Sequence, residues 1–88
     1  MRFKRVIMIN VYDLEAALEE EFGEIYEVRE LFFEDSYIND SAMELFLEPE
    51  RVYSKFDDVV AIKRRNVVRK FLQEMWPDEK SVWIDITW

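Results

Sequence analysis

The chain has 88 residues, the usual length of one small domain, so we predict a single domain over residues 1–88. Half of the residues are hydrophobic and 16% are aromatic, which excludes an intrinsically disordered chain although 36% are charged. The net charge of -8 argues against a surface that binds DNA or anionic membranes.

The chain contains no cysteine and no histidine. Disulfides, thiol nucleophiles and thiolate metal sites are therefore excluded, and the commonest general base and metal ligand is missing. We expect a protein that is not an enzyme and that holds no metal and no cofactor. The apolar run from Val6 to Ile9 is too short for a signal-peptide core or a membrane span, so we expect a cytoplasmic location.

The first predicted element is a strand over residues 3–11, where β-branched and aromatic residues alternate with others. From Asp13 the apolar spacing becomes helical, and Gly23 is well placed to end the helix. The residues at helical spacing are Leu14, Ala17, Leu18 and Phe22.

The next stretch, residues 24–33, fits two periodicities. Ile25, Val28, Leu31 and Phe32 fit a helix, whereas Tyr26, Val28 and Phe32 fit a strand; the β-branched and aromatic content favours the strand. Residues 34–41 are rich in Asp, Ser and Asn and predict a turn or loop. Residues 42–48 alternate between apolar and acidic side chains, which is typical of a half-buried strand.

Ser54 and Asp57, three residues apart, resemble a capping box, and helical spacing of apolar residues then continues up to Pro77. This pattern predicts a long second helix, although residues 59–62 also fit a short strand. The alternation in residues 82–88 predicts the last strand.

The elements taken together have the order β-α-β-β-α-β. We therefore predict an α+β fold, a two-layer sandwich in which an antiparallel sheet carries both helices on one face, as in ferredoxin-like domains. If residues 24–33 are helical, another two-layer α+β domain results.

Charge is distributed unevenly along the chain. Residues 1–12 carry +3, residues 13–58 carry -13 and residues 59–88 carry +2. Carboxylates one helical turn apart, such as Glu15 and Glu19, lie about 6 Å apart along the axis. This spacing is sparser than the one charge per ~1.7 Å of duplex DNA but of comparable repeat length to the phosphates within one strand. The acidic residues that we predict to bind a partner are Glu15, Glu19, Glu20, Glu21, Glu24, Glu27, Glu30, Glu34, Asp35 and Asp40.

The small size, strong acidity, high aromatic content and lack of Cys and His make the chain similar to the phage-encoded DNA-mimic inhibitors, such as anti-restriction proteins and uracil-DNA glycosylase inhibitors. This resemblance implies binding and inhibition of a DNA-handling protein, such as a restriction nuclease, in the host-cell cytoplasm. The alternative is a non-enzymatic protein-interaction or regulatory module whose acidity serves solubility.

A basic patch departs from that resemblance. Its residues are Lys63, Arg64, Arg65, Arg69 and Lys70. In one interpretation this patch binds nucleic acid or phosphate. The third hypothesis for the function is accordingly an RNA-binding domain of ferredoxin-like fold. The interpretation we favour is the polar face of an amphipathic helix, paired in part with the chain's own acids.

Three tryptophans and four tyrosines exceed what a small core can hide. Trp83 is the candidate partner-binding aromatic, because its neighbours Val82 and Ile84 point to the other side of the predicted strand. The surplus of aromatics in this strand predicts a homodimer joined through sheet edges or through Trp83.

Overall fold

The computed structural model describes residues 7–32, 37–38 and 42–86, with the backbone alone for residues 37–38. Its strands are β1 (Met8–Asn10), β2 (Tyr37–Ile38), β3 (Ala42–Phe46) and β4 (Ser81–Asp85). Its helices are α1 (Val11–Phe22), α2 (Val28–Leu31) and α3 (Val59–Met75). The predicted α+β class is confirmed.

The three longer strands form a mixed sheet in which β4 lies between β1 and β3, and the two-residue β2 extends the sheet beyond β3. β4 runs antiparallel to β3 but parallel to β1. The ferredoxin-like order, with its wholly antiparallel sheet, is therefore not confirmed. Local periodicity places strands along the chain, whereas their neighbours in the sheet depend on contacts distant in sequence.

The core lies between one face of the sheet and the helices. Met43 pairs with Ile84 and Leu45 with Val82 across β3 and β4, and all four side chains are fully buried. They share one cluster with buried side chains of both long helices. The helix residues in it are Val11, Leu14 and Leu18 of α1 and Val68 and Leu72 of α3.

The strand predicted over residues 24–33 is wrong, because Val28–Leu31 forms the short helix α2. Val28 and Phe32, which fit both predicted periodicities, are fully buried; Tyr26, which fits only the strand, is buried too, and Ile25, which fits only the helix, is 68% exposed. Strand propensity did not decide this segment, since burial against neighbouring elements outweighs such a weak local preference.

The ends of the long helices differ from the sequence prediction in detail. α1 begins at Val11 rather than Asp13, because the Asn10 side chain accepts a hydrogen bond from the Tyr12 amide at 2.9 Å. It ends at Gly23, whose φ of 68° is the predicted left-handed C-cap.

The predicted capping box of α3 is wrong. The helix begins at Val59, and the Asp58 side chain caps it by accepting from the Ala61 amide at 3.1 Å. The Asp57 carboxylate instead accepts from the amides of Tyr53 and Ser54, closing a separate turn before the helix. The long helix itself is confirmed, and it ends at Met75, two residues before Pro77.

Candidate functional site

An open groove of about 1000 Å³ lies between α1 and the segment that carries α2. One stripe of α1 lines it with Tyr12, Glu15, Ala16 and Glu19. The segment that carries α2 forms the facing wall with Ile25, Tyr26, Glu27, Arg29 and Glu30. Met43 and Ile86 also line the groove. The residues at its edge that carry exposed carboxylates are Glu19, Glu27 and Glu30, which we call the acidic rim.

Glu15, predicted to bind a partner, has a structural contact. Its Oε2 accepts a hydrogen bond from the Val28 amide at 2.9 Å. Val28 is the first residue of α2, so the Glu15 carboxylate satisfies a helix N-terminal amide for which Glu27, the N-cap residue, makes no side-chain bond. Glu15 thus ties α1 to α2 and fixes one wall of the groove.

Glu24 is likewise engaged within the chain. Its Oε2 lies 3.3 Å from the Tyr26 hydroxyl, which donates to it, and 3.6 Å from Nη1 of Arg64. Burial and the Glu24 carboxylate beside it raise the pKa of Tyr26. Glu24 therefore faces α3 and does not line the groove.

The remaining predicted acids divide into three groups. Glu19, Glu27 and Glu30 come together at the groove, whereas Glu20 and Glu21 are exposed on α1 without lining it. A hydrogen bond to Glu27 and the negative charge of that residue raise the pKa of Glu30. The others, Glu34, Asp35 and Asp40, lie outside the described residues.

The basic patch is largely internal. Arg65 makes two charge-assisted hydrogen bonds to Glu50, Nε to Oε2 at 2.6 Å and Nη2 to Oε1 at 2.8 Å. Arg69 donates to the same carboxylate and, through Nε, to the Phe46 carbonyl oxygen at 3.0 Å. The Asn66 side chain accepts a hydrogen bond from the Glu50 amide at 2.9 Å and donates one to the Glu50 carbonyl oxygen at 3.0 Å. We call Glu50, Arg65, Asn66 and Arg69 the arginine network.

The arginine network fastens α3 to the chain that leaves β3. Arg69 is only 5% exposed, and its guanidinium lies 5.1 Å from the Phe32 ring centroid. The hydrogen bond from Arg65 holds the pKa of Glu50 below its ordinary value despite partial burial, and Arg69 adds to this effect. The interpretation of the basic patch as a helix face paired with the chain's own acids is thus supported.

Arg64 is also engaged by neighbouring groups. Its guanidinium donates to the Ile25 carbonyl oxygen at 2.5 Å and lies 4.3 Å from the Tyr26 ring centroid. Of the predicted patch, only Lys63 and Lys70 project their charges from exposed positions. Two lysines are a weak footprint for nucleic acid, since phosphate binding gains from many simultaneous contacts.

Trp83 lies on the sheet face opposite to the core. It pairs with Met8 of β1 and Glu44 of β3 and is half-buried, whereas Val82 and Ile84 on the other face are fully buried. Phe46, 52% exposed, lies on this outer face too. The predicted side for Trp83 is therefore the observed one, and its role in binding stays a prediction.

Sequence reasoning missed a second exposed aromatic surface. Tyr53 and Phe56 are each 86% exposed, and Val52 beside them is 49% exposed. We call residues 52–56 the aromatic turn. The helix predicted to open at Ser54 includes Phe56 and would place it on the apolar face, because Phe56 fits the helical spacing of Val59 and Val60. The true start of α3 at Val59 removes it from that face.

Among the described residues, no three carboxylates gather in a way that would hold a metal ion. In the same part of the chain, no helix is both long and apolar enough to cross a membrane. Comparisons with protein-family models, curated proteins and solved structures give no match.

Proposed function

We propose that this protein is a non-enzymatic inhibitor that binds a DNA-handling protein, such as a nuclease, by presenting carboxylates in place of DNA phosphates. The proposed contact is the acidic rim together with Glu20, which follows Glu19 on α1. The partner would supply the lysines and arginines with which it normally holds DNA.

The observation that carries this proposal is the separation of the two charge signs. Three arginines of the basic patch are engaged within the chain. Two of them donate hydrogen bonds to the Glu50 carboxylate, and Arg64 donates to a backbone carbonyl oxygen and forms an ion pair with Glu24. The acids Glu19, Glu27 and Glu30 remain exposed on the α1 side. A cationic cleft that approaches this side meets these three carboxylates, with Arg29 as the cation that lines the groove beside them, and the excess of negative charge favours association by electrostatic steering.

The groove adds apolar area to this charged surface. Ile25 is 68% exposed and Tyr12 is 48% exposed, and both line the groove beside the acidic rim. Partly exposed apolar and aromatic side chains inside a charged border are the usual composition of a protein-binding surface. Charge would then set the approach and the salt dependence, while these side chains would slow dissociation.

The test is capture of partners from a cell lysate on the immobilised protein, with and without excess duplex DNA. A DNA-mimic predicts one captured protein that duplex DNA displaces and that binds more weakly as salt rises. The triple variant E19K/E27K/E30K should lose this protein. The matched control E48K/E74K/D78K makes the same change of charge at exposed positions away from the groove and should retain it.

A second candidate function is an interaction module whose acidity serves only solubility, and the exposed aromatic turn favours it. If this candidate is right, the amount of captured partner is the same with and without duplex DNA and in both triple variants. The Y53S/F56S variant captures no partner. Capture of that kind would refute mimicry through the acidic rim.

A further inference from the structure

The aromatic turn is a rigid projection. The Asp57 carboxylate accepts from the amides of Tyr53 at 2.8 Å and Ser54 at 3.0 Å, and the Phe56 amide donates to the Ser54 hydroxyl at 3.1 Å. The Asp57 amide closes the turn onto the Ser54 carbonyl oxygen. Because this backbone is already fixed, burying Tyr53 and Phe56 in a partner costs little further ordering.

Two exposed cations stand at the aromatic turn. Lys55 lies within it and Arg51 directly before it, and the Lys55 ammonium lies 5.3 Å from the Phe56 ring centroid. The two acids that follow, Asp57 and Asp58, accept hydrogen bonds from backbone amides, and residues 51–58 carry no net charge in a chain of net charge -8. The exposed cations and aromatic side chains together fit an acidic surface that also offers apolar area.

The groove beside the acidic rim has those properties. Tyr12, Ile25 and Ile86 give it apolar lining. Glu19, Glu27 and Glu30 give it negative charge, which exceeds the single positive charge of Arg29 in the same lining. Its volume of about 1000 Å³ is at the upper end of the range of ligand sites and accommodates two aromatic side chains. The hydrogen bond to Glu27 and, after it, the negative charge of Glu27 raise the pKa of Glu30, and an incoming ammonium or guanidinium would relieve the repulsion between the two carboxylates.

The acidic rim and the aromatic turn are both next to the first turn of α3. A smaller cleft is lined by Glu27 and Glu30 together with Ala61 and Arg64 of α3. Ala61 is three residues after Asp58, the cap of the helix that follows the aromatic turn. Two neighbouring complementary patches on one side of a molecule can both be satisfied by a second copy related by a two-fold axis.

We propose that the protein forms a two-fold symmetric homodimer in which the aromatic turn of each copy occupies the acidic-rimmed groove of the other. Tyr53 and Phe56 fill the groove, while Arg51 and Lys55 pair with Glu27 and Glu30 of the opposite copy. This interface differs from the sheet edges and from Trp83, and it does not depend on the proposed function. Dimer formation would compete with a cationic target for the acidic rim.

The first experiment is sedimentation of the full chain over a range of concentrations. The wild type should dimerise in the micromolar range, and Y53S/F56S should raise the dimer dissociation constant at least tenfold while its melting temperature stays close to that of the wild type. M8S/F46S removes comparable exposed apolar side chains from the outer sheet face and should leave the dimer intact. A wild type that is monomeric at high micromolar concentration, or a dimer lost only in M8S/F46S, overturns the proposal.

A charge exchange tests the reciprocal pairing. R51E/K55E alone and E27K/E30K alone should both be monomeric, because each places like charges opposite one another in its own dimer. Mixed together, they should form a heterodimer in which both turn–groove contacts again join opposite charges. Failure of the mixture to associate, when each variant alone is folded, contradicts the pairing of Arg51 and Lys55 with Glu27 and Glu30. The partner capture experiment tests the proposed function and does not depend on dimer formation. The homodimer and the DNA-mimic function can therefore be refuted independently.

Discussion

On the α3 side of the molecule, the Glu50 carboxylate is held by two arginines, whereas on the α1 side the carboxylates of Glu19, Glu27 and Glu30 lie in solvent. Both regions contain charged residues close together in sequence. The two regions differ in burial. Arg69 is 5% exposed, and a buried charge without hydrogen-bond partners would destabilise the fold. The carboxylates of the acidic rim are exposed and stay hydrated. Charge therefore serves stability in the arginine network and remains available for binding at the acidic rim.

The largest effect is expected from breaking the arginine network. Glu50→Ala leaves the buried guanidinium of Arg69 without its carboxylate and should lower the free energy of unfolding by roughly 3 kcal/mol. Denaturant unfolding measures this change. Glu20→Ala, which removes an exposed carboxylate of α1, is the control and should change the same quantity by less than about 0.5 kcal/mol. Equal effects of the two variants would contradict the division between the regions.

The pH dependence of stability should come in part from the same carboxylate. Because the folded-state pKa of Glu50 is lowered from 4.5, its stabilisation is present above that value and is lost as the pH falls through the lower folded-state pKa. Unfolding curves of the wild type should therefore show declining stability below about pH 4.5. In Glu50→Gln this decline should be shallower, and an unchanged slope would argue against Glu50 as its source.

A smaller effect is expected at Glu15, the acid of the groove that has a structural contact. Glu15→Ala removes the acceptor of the Val28 amide and should cost about 1 kcal/mol, the usual value of a helix N-terminal cap. Glu19→Ala, one turn further along α1, is the matched control and should cost less. Hydrogen exchange at the Val28 amide should rise in the first variant alone.

The smallest effect is expected at the acidic rim itself. Glu30→Gln removes one member of the repelling pair with Glu27, and its melting temperature should equal or slightly exceed that of the wild type at neutral pH. The reason is that a carboxyl group with a raised pKa is disfavoured in its charged form. A clear fall in melting temperature would show that Glu30 has a stabilising contact and is not simply exposed.

Local pattern predicted much of the secondary structure. The helical spacing of Leu14 and Leu18, the left-handed cap at Gly23 and the break before Pro77 all involve residues a few positions apart, and each has its counterpart in the structure. The helical alternative for residues 24–33 was also visible, but the sequence did not reveal the Glu15 carboxylate that meets the Val28 amide thirteen residues away.

The candidate site was predicted only in part. The sequence singled out Glu19, Glu27 and Glu30 among ten acids, yet it gave no reason to separate them from Glu15 and Glu24, which bind within the chain. It also gave no signal for Glu50, whose role arises from arginines fifteen and nineteen residues further along.

The sequence by itself determined the α+β class, the long helices and the acidic excess, because periodicity and charge are properties of short stretches. Tertiary structure alone decided that β4 lies beside β1. It also decided which carboxylates bind arginines and which stay exposed. The physical reason is that burial, and with it the need of each charge for a partner, is set by segments that meet only after the chain has folded.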